Sequence, residues 1–291
     1  MESEKTYLME RHKCRICGRE NLNKTYAVKE MMYGTKKEFK YFACESCKCL
    51  QIAEVPKDMG EYYWSDYYSF HDAEKREFEG RGEHCESRIL DVGCGVGRWL
   101  LELAGKGYGN LYGCDPFIEE DIRYGERIYI KQGEINQMDG QFDYIQFSDS
   151  FEHMAKPLET LECVKKLLKG NGICRIGIPV FPNAAFDIFG VNWYELDAPR
   201  HFFLHSEDSM KCLCEKAGLK IERIDYNSSA AQFIISYLYE QGVSYQTFRE
   251  KKEFFLKEYI GKENMNYFTE AAYRVNSKGY GDHANFQLVH F

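Results

Sequence analysis

Short apolar runs alternate with longer stretches of helical period along most of this 291-residue chain. Residues 88–92 form the first clear run, Arg-Ile-Leu-Asp-Val, which closes on an acid and meets a glycine turn. That pattern predicts a buried parallel strand, and the apolar-periodic segment opening at Arg98 predicts the helix of a βαβ unit. Further strands are predicted at 111–115, 128–130, 142–147, 173–178 and 219–226, and 285–291 alternates like one more. A helix over 157–168 should stop at Gly170-Asn171-Gly172, and another should start at Ser206 and end at Ala217-Gly218. The fifty-odd residues between the last two strands are helical in pattern and read as an insertion at about 229–281. Aromatic residues crowd 58–72, with Tyr62, Tyr63, Trp64, Tyr67, Tyr68 and Phe70 spaced for one helix face. A charged, glycine-bearing link follows over 73–86.

The glycine turn carries the first chemistry. Gly93, Gly95 and Gly97 stand where the chain must turn sharply and let a ligand approach its backbone. The helix N-terminus behind them offers unpaired N–H groups. A dinucleotide fingerprint would need a further glycine three places on, and Arg98 or Leu100 stands there instead. Asp115 closes the next strand at the spacing that an intervening helix requires.

Asp91-x-Gly93-x-Gly95-x-Gly97 followed by Asp115 resembles the class I S-adenosylmethionine-dependent methyltransferases, best over roughly residues 85–228. The resemblance implies a Rossmann-like sheet, parallel with one antiparallel terminal strand, for which 285–291 is the candidate. It implies that Asp91, Gly93, Cys94, Gly95 and Gly97 cradle the methionine end of S-adenosylmethionine, with Asp115 and Pro116 at the ribose. Glu134 matches the adenine-binding position, where the family more often has Asp, and a solvated loop acid reads nearly as well. Ser148 and Asp149 fall where cofactor and acceptor should meet, and Glu152-His153 resembles the family's Glu-His loop end. One of the tyrosines of 58–72 should lie over the cofactor. Trp193 to Ser206, containing Asp197-Ala-Pro-Arg200-His201, resembles a segment of a bacterial subgroup linked to small-molecule and cell-surface sugar pathways. In that segment Arg200 is the candidate clamp for an anionic group, and His201 is the candidate base with His153 behind it.

Two Cys-x-x-Cys pairs, Cys14/Cys17 and Cys44/Cys47, precede all of this. Two intervening residues let one tight turn deliver both thiolates, and four thiolates suit tetrahedral zinc. A small zinc ribbon is therefore expected, with a hairpin strand at 38–43 and Cys49 as a competing ligand. The expected division is ribbon 1–57, aromatic helix and linker 58–86, and methyltransferase domain 87–291.

Charge changes the picture little. Eleven Lys or Arg against seven Asp or Glu in residues 1–50 leave an excess of four, of which a four-thiolate zinc site offsets half. The net charge of −8 argues against a protein built mainly to hold nucleic acid. No apolar run approaches a membrane span; the best, 230–239, is broken by Gln232 and Ser236. Without a signal-like start, the expected location is the cytoplasm, with the 12 cysteines reduced or metal-bound. The expected activity is methyl transfer to a small molecule. The alternatives are an RNA or protein methyltransferase that docks through the ribbon, and a non-catalytic cofactor-binding scaffold. Neither the acceptor atom nor the oligomeric state is legible.

Overall fold

Alternating apolar positions in the first fifty residues build strands, and a computed structural model, which describes residues 7–63, 80 and 82–291, shows where they go. The first strands are β1 (Leu8–Lys13), β2 (Glu20–Lys29), β3 (Glu38–Ala43) and β4 (Leu50–Ile52). They are followed by β5 (His84–Val92), β6 (Tyr108–Asp115), β7 (Ile122–Tyr124), β8 (Ile128–Gln132) and β9 (Phe142–Ser148). The last are β10 (Leu168–Pro179), β11 (Phe203–Leu204), β12 (Leu219–Tyr226) and β13 (His283–His290). The chain divides into two compact units, each assembled from separate stretches of sequence.

One unit takes Met1–Lys57, Pro179–Cys212 and Asp225–Asn285. Its sheet runs β1-β2-β3-β4-β11, and each neighbouring pair is antiparallel. Two-residue β11 pairs Phe203 with Gln51 and Leu204 with Leu50. The insertion is helical, as its pattern predicts, in helices Ala231–Glu240, Tyr245–Glu250, Lys252–Phe255 and Gly261–Ser277 with a π turn at Leu256–Ile260. It buries Ile234, Ile235, Leu238, Tyr239, Phe248, Phe255 and Ile260 with Met31 in one apolar cluster.

The other unit takes Asp58–Ile178, Leu213–Ile224 and Phe286–Phe291. Its sheet has the order β12-β13-β10-β9-β5-β6-β8-β7. β10, β9, β5, β6 and β8 are mutually parallel. β13 is antiparallel to β12, since the Asn227 N–H reaches the His283 carbonyl at one end and Gln287 reaches Glu222 at the other. The helix Arg98–Gly105 buries Leu100, Leu101 and Ala104 against Ile89, Leu111, Ile128 and Ile130. This is the mostly parallel α/β sheet with an antiparallel terminal strand that the sequence resemblance implies.

Two details depart from expectation. β7 forms an antiparallel hairpin on the outer edge of β8 that the short Ile-Arg-Tyr run does not announce. The helix Pro157–Leu167 passes straight into β10, and the Gly170–Gly172 tract becomes an irregularity within that strand. Its register jumps from Leu168 opposite Phe142 to Ile173 opposite Tyr144, so the glycines absorb surplus chain rather than ending the helix. Trp64, Tyr67, Tyr68 and Phe70 lie outside the described residues, as does most of the expected link at 73–86. Among the described residues no helix is long and apolar enough to cross a membrane.

Candidate functional site

β5 ends at Val92, and the chain then turns through Gly93, Gly95 and Gly97, which have φ of +76°, +53° and +81°. Dihedral favours glycine at all three, and space crowds the outer two. A Cβ on Gly93 would stand 2.5 Å from the Ser150 Cβ, and one on Gly97 would stand 2.4 Å from Ile130 Cδ1. Cys94 tucks its sulfur against Gly113, where a Cβ would lie 2.5 Å from it. Gly97 is the N-cap of the helix Arg98–Gly105.

Asp115, at the end of β6, ties this turn down. Its Oδ2 accepts the Gly95 N–H at 2.9 Å and its Oδ1 accepts the Phe117 N–H at 2.9 Å, across exposed Pro116. The Gly93 N–H donates to the Cys114 carbonyl at 2.8 Å. Asp91 and Asp115 are both buried. Burial, and then the neighbouring charge of Asp115, push the Asp91 carboxyl up to about 7. Burial also raises Asp115, against the lowering pull of its two backbone donors. Among the described residues no Lys, Arg or His forms an ion pair with either acid. Two buried carboxylates without a basic partner make a pocket that gains from a cation.

The other expected positions gather at the same carboxyl ends of the parallel strands. Ser148 and Asp149 are exposed at the end of β9, where Asp149 has φ +51° and gives its N–H to the Gly177 carbonyl at 2.9 Å. Ser150 donates its hydroxyl to the Val92 carbonyl at 2.7 Å. The Gly133 N–H reaches the Asp115 carbonyl at 3.1 Å, and exposed Glu134 begins the next turn in a capping box with Gln137. His153 ends the turn Phe151–His153, with Nδ1 3.2 Å from the Tyr63 hydroxyl. Tyr63 stacks on Phe117 at 5.0 Å between ring centres. Nothing in the sequence marks Phe117 beyond its place after Asp115-Pro116.

In the first unit the Sγ atoms of Cys14, Cys17, Cys44 and Cys47 all lie within 4.8 Å of one another. Cys14–Cys47 and Cys17–Cys44 measure 3.6 and 3.7 Å. Zinc–thiolate bonds of ~2.3 Å at tetrahedral angles place sulfurs about 3.8 Å apart, so the quartet fits the metal. The two turns repeat each other. Gly18 N–H to Cys14 carbonyl (3.0 Å) and Cys14 N–H to Arg19 carbonyl (2.9 Å) match Lys48 to Cys44 (2.8 Å) and Cys44 to Cys49 (2.9 Å). Both turns pass through positive φ, at Gly18 and at Lys48. Cys49 is buried outside the quartet, its thiol 3.7 Å from the Leu50 carbonyl.

The Trp193–Ser206 stretch belongs to the core. Trp193 and Arg200 are fully buried. The Trp193 indole N–H donates to Asp282 Oδ2 at 3.0 Å. Arg200 gives Nε to Asp197 Oδ2 at 2.8 Å, Nη2 to Asp197 Oδ1, and Nη2 again to Glu30 Oε1 at 3.0 Å. Its guanidinium therefore neutralises two protein carboxylates. Glu30 in turn accepts from the Tyr33 and Thr35 N–H groups at 2.9 and 3.0 Å. His201 is 5% exposed, with Nδ1 2.7 Å from the Glu195 carbonyl and Nε2 3.8 Å from Asp197 Oδ2. A carbonyl only accepts, so Nδ1 carries a proton.

Residues 61–224, more than half of the chain, match a family model described as a methyltransferase domain. No curated protein matches the chain. Among solved structures it is similar to a mycolic acid cyclopropane synthase complexed with SAH and CTAB, at 16% identity and TM-score 0.45, over 69% of this chain and 77% of that one. A cyclopropane synthase from Mycobacterium tuberculosis is similar at 17% identity and TM-score 0.42, over 69% and 77% of the two chains. The mitomycin 7-O-methyltransferase is similar at 12% identity and TM-score 0.43, over 70% and 49%.

Proposed function

The chain belongs to the methyltransferase-domain family, and we propose that it methylates a small molecule, an intermediate of a sugar, cell-surface or secondary-metabolite pathway, with S-adenosylmethionine as donor. One observation carries the cofactor reading: two buried acids, Asp91 and Asp115, flank a turn of three positive-φ glycines whose Gly95 N–H is held by Asp115. The bound cofactor supplies a methyl group on a sulfonium, whose sulfur keeps the bonding pair when the methyl leaves. Asp91 offers its carboxylate to the positive methionine end beside the glycine turn. Asp115, already fixed by Gly95 and Phe117, has lone pairs left for ribose hydroxyls. Asp149 and Ser148 border the acceptor side, and Glu134 stands at the adenine position.

The chain's remaining task is to align an O, N or C nucleophile and to remove its proton where it carries one. His201 is assigned as the base. A neutral imidazole protonated at Nδ1 presents its lone pair at Nε2, which lies 3.8 Å from Asp197 Oδ2. His153, whose Nδ1 meets the Tyr63 hydroxyl, is the second candidate. Arg200 is assigned to holding Asp197 in place. Cys14, Cys17, Cys44 and Cys47 would hold one structural zinc, a closed site whose work is folding rather than catalysis.

Calorimetry with Asp115→Asn tests the cofactor site. S-adenosylmethionine affinity should fall by about 1–3 kcal/mol. Binding of NAD instead, or an unchanged affinity, removes the proposal. Metabolite profiling of a deletion strain, seeking a product lighter by one methyl group, then identifies the acceptor.

A further inference from the structure

Gln51 is fully buried on β4 and divides its amide between two partners. Nε2 donates to the Cys14 sulfur at 3.1 Å, while Oε1 accepts from the Arg15 N–H at 3.1 Å and from its Nε at 3.4 Å. The Arg15 guanidinium lies 4.6 Å from the centre of the Phe203 ring, and Phe203 is the register partner of Gln51 across β4 and β11. The second cysteine turn is joined to the same stretch: the Ser206 hydroxyl donates to the Cys47 carbonyl at 2.5 Å. Between them, the Tyr41 hydroxyl donates to the His201 carbonyl at 2.8 Å and the Ile52 N–H to that of Phe202 at 3.1 Å.

From these links we infer that the metal held by the four cysteines is what positions residues 201–206, with Gln51 as the coupling side chain. This rests on the zinc reading above. A metal fixes the Cys14 thiolate as a strong acceptor, and Gln51, held by that bond, keeps β4 in register with β11. Without the metal, four sulfurs this close lose what holds them together, the turns open, and 201–206 loses its Gln51–Cys14 and Ser206–Cys47 ties to them. Gln51 is thus a positioning residue for His201, acting through the metal and β11.

The test uses the full chain. Elemental analysis first establishes zinc content; a zinc-free protein overturns the zinc reading and this inference together. Hydrogen–deuterium exchange then compares loaded and chelated protein. Exchange over 202–206 should rise about tenfold or more on chelation, beyond any change over 89–92. Zinc lost with unaltered exchange over 202–206 overturns the coupling alone. If chelation unfolds everything, Gln51→Leu decides: it should keep its zinc, raise exchange over 202–206, and shift the thiolate-to-metal charge-transfer band of the cobalt-loaded form. Gln51→Leu with zinc bound and both readouts like wild type also overturns the coupling.

Discussion

Asp91 and Asp115 stand at the ends of adjacent parallel strands, and the charge on Asp115 makes ionising Asp91 harder. The Asp91 carboxyl titrates at about 7 in the ligand-free fold, against 3.8 for an ordinary aspartate. A raised acid keeps its proton in the folded chain after the unfolded chain has lost it. Its contribution to stability is therefore complete below the ordinary value and is lost as pH climbs to about 7. Melts of ligand-free protein should show Tm falling through that window, and Asp91→Asn should flatten the fall. The same variant should bind S-adenosylmethionine at least about tenfold more weakly, because the cation loses its charged partner. Identical slopes in both proteins contradict this account.

Purified protein should carry one zinc per chain. Cys14→Ser should lose it, whereas Cys49→Ser should retain it, because the Cys49 sulfur lies outside the quartet. Zinc loss from Cys49→Ser alone reverses the ligand assignment.

Arg200 is tested by removing its charge. Arg200→Met strands Asp197 and Glu30 in the interior and should cost about 3–5 kcal/mol in urea unfolding, with Arg200→Lys recovering part. Stability within about 1 kcal/mol of wild type, combined with a raised KM for the acceptor, returns Arg200 to the role of anion clamp.

His201→Ala and His153→Ala separate the two candidate bases. The true base should lose about 10²–10⁴-fold in turnover, with S-adenosylmethionine affinity within twofold, read below a Tm that His201→Ala should lower by unpairing the Glu195 carbonyl. If both folded variants turn over within a few-fold of wild type, neither histidine is the base.

The nucleotide-fold half of this chain is legible because its signals are local. Strands 142–147 and 219–226 appear where alternation places them, and the glycine turn and Asp115 lie together at one end of the sheet. What escapes a local reading depends on partners far along the chain. Glu30 has no feature that marks it as the partner of Arg200, 170 positions away. Gln51 looks like a polar strand residue until Cys14 and Arg15 are set around it. Phe203 and Leu204 pass for part of an aromatic loop because two residues cannot show a period. Lys48 adopts φ +58° because the cysteine turn dictates it, although its counterpart is Gly18.

The pairing of β4 with β11 also bears on how the chain is made. Leu50–Ile52 leaves the ribosome roughly 150 residues before Phe203–Leu204, a delay of about 8–30 s at ~5–20 residues per second. During that interval β4 presents a bare strand edge, and its three buried-type residues have only β3 beside them. Slowing elongation between the two strands lengthens that exposure.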